Sequence, residues 1–319
     1  MLIGALVAVI VVVVARRDPS ASTAPPGFGA SLPVHTPAAA SGTPSGRAAG
    51  DAELTDAPGV QALLAAATSA VQTVDSYDYR RVDANRAAGD KVTADAFRPQ
   101  YDLAMQRLAK PAAAAHTVQQ AVVQKVGVTA LAGDRAGALA LGRLDITSAA
   151  DPAGSSSDLT VGITLQRSGH TWLITGMTDL ADQGEFAATP PGNAALVGAV
   201  TAAGHEVVHL LSYRRAEFAA DFDRALAGLT GPLLAQQTQR RAGLLASMTR
   251  DRTDYTGQVR SIGVESASGS SVLVVVCASG YSTVPGSPPQ SGTERFEVGV
   301  QYVGGRWLVA EYLALPSAG

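Results

Sequence analysis

The sequence predicts an α+β protein: helices packed on a curved antiparallel sheet, twice over, behind an N-terminal transmembrane helix and a disordered linker. Three observations lead there. Residues 2–15 form an uninterrupted apolar run. The chain from about residue 56 onward matches itself at a nearly constant offset. Within each copy the hydrophobic period changes from helical to strand-like.

The apolar run comes first. At ~1.5 Å per residue it spans about 21 Å, short of the roughly 30 Å hydrocarbon core. No basic residue precedes it, no small-residue cleavage site closes it, and no cysteine follows it as a lipoprotein would need. The expectation is a membrane helix whose upstream part lies outside this sequence. Arg16 and Arg17 alone argue for a cytoplasmic body by the positive-inside rule. A longer N-terminus with its own arginines reverses that. The expected placement is single-pass in the cell membrane, with the C-terminal body extracytoplasmic. Residues 1–17 are thus the anchor. Residues 18–55 are rich in Pro, Ser, Ala, Gly and Thr, bury too little to offset ordering entropy, and read as a disordered linker.

The repeat comes next. Ser76-Tyr77 matches Ser212-Tyr213, and Gly127-Val128 matches Gly263-Val264, both 136 residues apart. Trp172-Leu173 matches Trp307-Leu308 at an offset of 135. Two domains are expected, 56–184 and 191–316, joined across Pro190-Pro191-Gly192. Each opens on a helix: Val60, Leu63, Leu64, Ala67, Val71 and Val74 in copy one, and Leu196, Val200, Ala203, Val207, Leu210 and Leu211 in copy two. A short helix follows, 82–90 and 218–227. A third holds Phe97, Tyr101, Met105 and Leu108, and its counterpart starts at Gly231-Pro232 and runs through 233–245. Strands are expected at 121–129, 136–146, 159–166 and 171–180, then at 256–264, 271–279, 295–302 and 307–315. Gly133-Asp134, Ser168-Gly169, Ser268-Gly269 and Gly304-Gly305 read as hairpin turns. Helices followed by an antiparallel meander make an α+β domain. Trp172 and Trp307 are expected to wedge in where the last strand meets the first helix. If the copies pair through their sheets, the outward strand faces should be unusually apolar.

Composition bounds the function. A chain of 319 residues has room for about two domains of roughly 100–200 residues. Hydrophobic residues at 46% supply a core. A net charge of −3 with no basic stripe excludes nucleic acid as a partner. Only Lys91, Lys110 and Lys125 of the 24 basic residues are lysines, an Arg- and Ala-rich bias that suggests a high-GC genome. The single Cys277 excludes an intrachain disulfide. It sits in an apolar strand and reads as a small buried hydrophobe, not as a reactive thiol.

This order of elements resembles the cystatin-like, or nuclear-transport-factor-2-like, cone fold. More specifically it resembles the Mce-associated membrane proteins of actinobacteria. The matching positions are Leu210-Leu211-Ser212-Tyr213, Leu229-Thr230-Gly231, the strand 271–278 and Arg306-Trp307-Leu308-Val309, with Asp75 through Tyr79, Val92-Thr93, Phe97, Tyr101 and Trp172-Leu173 in copy one. The resemblance implies a non-catalytic accessory protein of the cell envelope supporting a Mce-type lipid or sterol import system, with Mce transporter subunits as partners. It carries over no active-site residue, and no cofactor is expected. The doubled cone is a departure from that family. It also resembles conjugation-apparatus proteins with a membrane helix and two cones, so a conjugation or secretion assembly factor is the alternative. Association into a homo-oligomer and an internal pseudo-dimer are both open.

Three constellations carry chemistry. His205-Glu206-Val207-Val208-His209 fits H-E-x-x-H, in which two histidines one turn apart hold zinc and the glutamate activates water. A zinc hydrolase is therefore a further alternative, with Glu217, Asp221 or Asp223 as third ligand. Against it, no Gly and His extension follows. The equivalent positions in copy one are Ser69, Ala70 and Thr73, which read as a solvated outer face. Tyr77, Asp78, Tyr79 and Asp83 could form an acid–base site of the kind cone folds hold between sheet and helices; Arg214 and Arg215 replace Asp78 and Tyr79 in copy two. Tyr77, Tyr213, Trp172 and Trp307 are the candidate binding residues, either lining such a pocket or closing the helix ends. The arginine pairs 80–81, 214–215 and 240–241 read as solvated charges.

Overall fold

The computed structural model describes residues 58–180 and 194–317. The expected anchor, the linker and the connection between the copies lie outside the described residues.

In the first half, helix α1 (Pro58–Asp75) leads into a two-residue strand β1 (Tyr77–Asp78) and a 3-10 turn (Tyr79–Arg81). Helices α2 (Val82–Asp90) and α3 (Arg98–Ala115) follow, then strands β2 (Val118–Ala132), β3 (Arg135–Thr147), β4 (Ser155–Ser168) and β5 (Thr171–Asp179). The second half runs α4 (Ala194–Leu211), a 3-10 turn (Arg215–Glu217), α5 (Phe218–Ala227) and α6 (Gly231–Asp251). It ends with β6 (Asp254–Ser268), β7 (Ser271–Thr283), β8 (Gln290–Val303) and β9 (Arg306–Ala314). Helices on an antiparallel sheet, repeated, make the mixed α+β architecture. β2, β3, β4, β6, β7 and β8 reach beyond the expected limits, and β5 and β9 keep theirs to within one residue.

The periodic stripes are the cores. Leu63, Ala67, Val71 and Val74 of α1 pack with Tyr101, Met105 and Leu108 of α3 over the inner face of the first sheet. Ala199, Ala203, Val207 and Leu210 of α4 do the same with Phe222 and Met248 in the second half. The Ser-Tyr pairs have a local cause. Ser76 Oγ accepts from the Ala121 N–H at 3.1 Å, and Ser212 Oγ from the Gly257 N–H at 2.9 Å. The hydroxyl ties the helix end to the sheet where no ladder partner exists. α3 and α6 both end on a left-handed residue, His116 and Arg252, each at φ 53°. The following N–H then turns back to satisfy a carbonyl of the last helical turn, Thr117 to Ala112 and Thr253 to Met248.

β2 and β6 each carry two bulges, at Val123/Lys125 and Val128/Ala130 and at Val259/Ser261 and Val264/Ser266. A bulge adds local twist and bends the strand, which curves both sheets alike. Gly133 and Gly269, at φ 61° and 54°, make the equivalent two-residue turns after them.

The two meanders are one sheet, in the order β5-β4-β3-β2-β6-β7-β8-β9, with β1 on β2. β2 and β6 are repeat equivalents and meet antiparallel at Val128 and Val264. A pseudo-twofold axis therefore passes beside Gly127 and Gly263. A Cβ on Gly127 would sit 2.6 Å from the Gly263 carbonyl, so only glycine allows the strands this approach. The outer faces meet in a small apolar cluster, Leu139, Leu141 and Leu180 from one half with Val275 and Cys277 from the other.

Candidate functional site

The four candidate binding residues sit at equivalent places. Tyr77 pairs with Gln119 through its backbone, and Tyr213 with Tyr255. Both rings lie in the cores. Trp172 is buried in the first core, with Arg167 over its ring at 5.8 Å. Trp307 is half-buried; it packs 5.2 Å from the Tyr302 ring, and its indole lies 3.2 Å from where a Cβ on Gly198 of α4 would stand. None of the four lines the depression of ≈ 220 Å³ on the second half, which is built by Ser266, Ser271, Leu273, Gly299, Gln301 and Glu311 among others.

The acid–base group proposed from sequence is dispersed. Tyr77 and Asp78 are neighbours on a strand and point to opposite sides. Tyr77 faces the core, where burial and the Asp78 charge raise its phenol. Asp78 turns out to Arg80, which donates to it from Nε and Nη2 at 2.9 Å and holds it below the usual carboxylate range. Tyr79 stacks on His116 at 4.9 Å, and Asp83 is exposed. The buried acid of this half is Asp75, in the last turn of α1 and 2% exposed. Burial, with Asp179 adding to it, pushes its carboxyl up to about 8. Its Oδ2 finds no hydrogen-bond partner among the described residues. Sequence reasoning missed it, because an Asp closing a helix reads as solvent-facing.

The H-E-x-x-H segment needs a correction. His205 is exposed and His209 is partly exposed, as two positions one turn apart on one face should be. Glu206, between them, is not on a solvated face: it is 4% exposed. It lies a further ~100° round the helix, on the side of Ala203, Val207 and Leu210. Ala70, its counterpart, is equally buried; a small residue fits either side, which is why the sequence misled. Burial pushes the Glu206 carboxyl up to about 8. Its Oε2 lies 3.4 Å from His209 Nδ1, and its Oε1 has no hydrogen-bond partner among the described residues. Burial, then Arg224 and His205, lower the His209 imidazole.

Gly228, after α5, makes the room: a Cβ there would stand 1.7 Å from Glu206 Oε2. The equivalent of Gly228 is Val92, since Thr93 bridges to Ile174 just as Leu229 bridges to Val309. Ala70 with Val92 in one half is thus exchanged for Glu206 with Gly228 in the other.

The three acids named as a third ligand are held by arginines. Asp221 takes Arg214 at 2.7 Å and Arg224 at 2.9 Å, which set it far below the usual carboxylate range. Glu217 pairs with Arg214 at 2.5 Å and Asp223 with Arg241 at 2.6 Å. Among the described residues no three His, Cys, Asp or Glu side chains group to hold a metal. Of the arginine pairs, Arg80, Arg214, Arg215 and Arg241 each reach an aspartate in the chain while their side chains stay partly or largely in solvent.

The charges that join the two halves were not anticipated. Lys125 on β2 reaches Glu265 at 3.0 Å and also Glu297. Arg295 on β8 is 2% exposed and crosses to the first half. It donates to the Gly142 carbonyl, to Asp158 at 2.6 Å, and to its own half's Pro316 carbonyl at 2.7 Å. Cys277 lies beside it on the ladder, and burial pushes its thiol up to about 12.

No family model matches the chain, and no curated protein matches it. Solved structures do. An Ntf2 like protein involved in plasmid conjugation is 10% identical, covering 80% of this chain and 96% of its own, at a TM-score of 0.26. A periplasmic fragment of TraM is 9% identical over 39% of this chain and 97% of its own, with a TM-score of 0.32. CagV, a VirB8 homolog of the type IV secretion system of Helicobacter pylori strain 26695, is 9% identical over 37% and 98%, with a TM-score of 0.33. At these identities and scores none of them fixes a function.

Proposed function

We propose that this chain is a non-catalytic assembly subunit of the cell envelope, tethered by its N-terminal apolar run, which presents a rigid pair of cone domains to partners in a conjugation- or secretion-type apparatus. The type of machine is that of the proteins named above; the support for a scaffold is geometric. The middle of each outer sheet face is spent on the joint, and the outer sides of the helices stay open to partners. Three of the side chains that could have carried chemistry are engaged otherwise: Tyr77 in a core, Asp78 on Arg80, and Cys277 in the joint. Apolar residues stand out on the exterior of the second half. Leu234 and Leu245 lie about three turns apart on one face of α6. Tyr302 and Val303 are exposed at the tip of the last hairpin. Among the described residues no helix is long and apolar enough to cross a membrane, so the anchor in this reading is the segment 2–15.

The test is a crosslinked pull-down of the full chain from its native membranes, with Leu234→Glu/Leu245→Glu as the comparison. Recovery of conjugation or secretion components, lost in the double variant, supports the proposal. Recovery of Mce transporter subunits would replace the machine with lipid import. Recovery of neither removes the scaffold role.

A further inference from the structure

The joint between the halves is symmetric in backbone and one-sided in charge. The strand pairings fix the equivalences. Lys125 opposes Leu141 on the ladder as Ser261 opposes Cys277, so Lys125 and Ser261 are equivalent. By the same ladders Glu265 is equivalent to Thr129, Glu297 to Gly162, and Arg295 to Thr160. Every position that bears a charge in one half is neutral in the other. The three neutral hydroxyls, Thr129, Thr160 and Ser261, are buried and find no hydrogen-bond partner among the described residues.

We infer that this face selects its partner: each half accepts the other half of the chain and rejects a second copy of itself. The reason lies in which contacts survive an exchange. Were two first halves to meet, each Lys125 would face Thr129 and Gly162, with no carboxylate to receive it. Two second halves would set Glu265 and Glu297 against Ser261 in place of the lysine, and the cation left nearby is Arg260, at the bulge beside Ser261. Their buried Arg295 would lose Asp158, whose equivalent is Thr293. Only the mixed pair closes both sets, Lys125 on two glutamates and Arg295 on Asp158. A buried charge without its partner is strongly destabilising, so the rejection is built from charges and the attraction from the apolar cluster. A tandem chain has a use for this. It keeps like halves of neighbouring molecules from pairing with each other.

Cys277 is the native reporter, since it is fully buried in the joint. In the folded full chain, modification by an aromatic disulfide reagent is expected to be slow. Lys125→Glu sets three carboxylates together and should raise the rate by about ten-fold or more. Lys125→Glu/Glu265→Lys/Glu297→Lys, with the charges exchanged, should return it to near the wild-type rate. Unchanged labelling in the single variant overturns the inference. So does a triple variant that stays as reactive as the single one while its circular dichroism is native.

A second readout tests rejection itself. A pair of second halves would put another Cys277 where Leu141 stands. Replacing the second half's three charges by the first half's neutral residues, Glu265→Thr/Glu297→Gly/Arg295→Thr, should therefore yield Cys277-linked dimers on mild oxidation, and the wild type should yield none. Equal amounts of linked dimer in the two proteins, or none in either, would show that the charges do not set the pairing.

Discussion

The two halves share a backbone plan and differ in where they place a buried acid. The first half keeps an acid at Asp75, where the second has Leu211; the second keeps one at Glu206, where the first has Ala70. Around Glu206 the exchange is one of volume: the acid gains space and Gly228 gives it up, where Val92 fills it in the first half. Across the joint the exchange is one of charge. The comparison teaches that an α+β unit of this kind tolerates an acid in its core when a neighbour shrinks to admit it. It also teaches that twin domains in one chain can be kept distinct by a few residues on an otherwise symmetric face.

The largest effect should come from the joint. Arg295→Thr gives the second half the residue of the first and removes one donor from Asp158 and from each of two carbonyls. Losing three hydrogen bonds to a charged, buried side chain should cost about 3 kcal/mol or more, to be read from urea denaturation of the full chain. Gly228→Val comes next. It returns the valine of the first half without the matching alanine, forces Glu206 aside, and should cost about 2–3 kcal/mol. Adding Glu206→Ala completes the exchange and should bring stability back to within ~1 kcal/mol of the wild type. A double variant as unstable as the single would break the equivalence drawn here.

The acids themselves give a pH signature. Glu206 is held up near 8 by burial, above the ordinary 4.5. The folded chain therefore keeps a proton that the unfolded chain releases. The stability this confers is fully present below about pH 4.5 and is lost as pH rises through 8, by up to ~1.4 kcal/mol per pH unit. Asp75 behaves in the same sense, from 3.8 to about 8. Glu206→Gln should flatten the fall between pH 5 and pH 9, with its gain over wild type of order 2 kcal/mol at the alkaline end. A pH profile parallel to wild type would mean that the carboxyl is not buried as described. The smallest effect belongs to Arg80→Ala. The pair it forms with Asp78 is on the surface, and no change in the denaturation midpoint is expected.

The repeat, the helix stripes and the hairpin glycines could be read in advance because each is local or recurs at a fixed offset. Val60, Leu63, Ala67 and Val71 announce their face by spacing alone. Gly127 and Gly263 showed the repeat without their reason, which is a backbone crossing between strands far apart in sequence. Arg295 was invisible for the same cause. An arginine in a strand looks solvated until the fold sets it against Asp158, 137 residues earlier. Glu206 was placed on the right helix and the wrong face, since Ala70 is small enough to sit on either.

The account rests on the two halves acting as one body, and the chain supplies a probe in each: its two tryptophans are Trp172 and Trp307. Trp307→Phe leaves a reporter in the first half and Trp172→Phe one in the second. Within each variant, tryptophan fluorescence and far-ultraviolet circular dichroism should trace a single urea transition with one midpoint. Arg295→Thr should lower that midpoint whichever tryptophan reports it. Fluorescence and dichroism that part into two transitions, or an Arg295→Thr shift seen by Trp307 and not by Trp172, would contradict it.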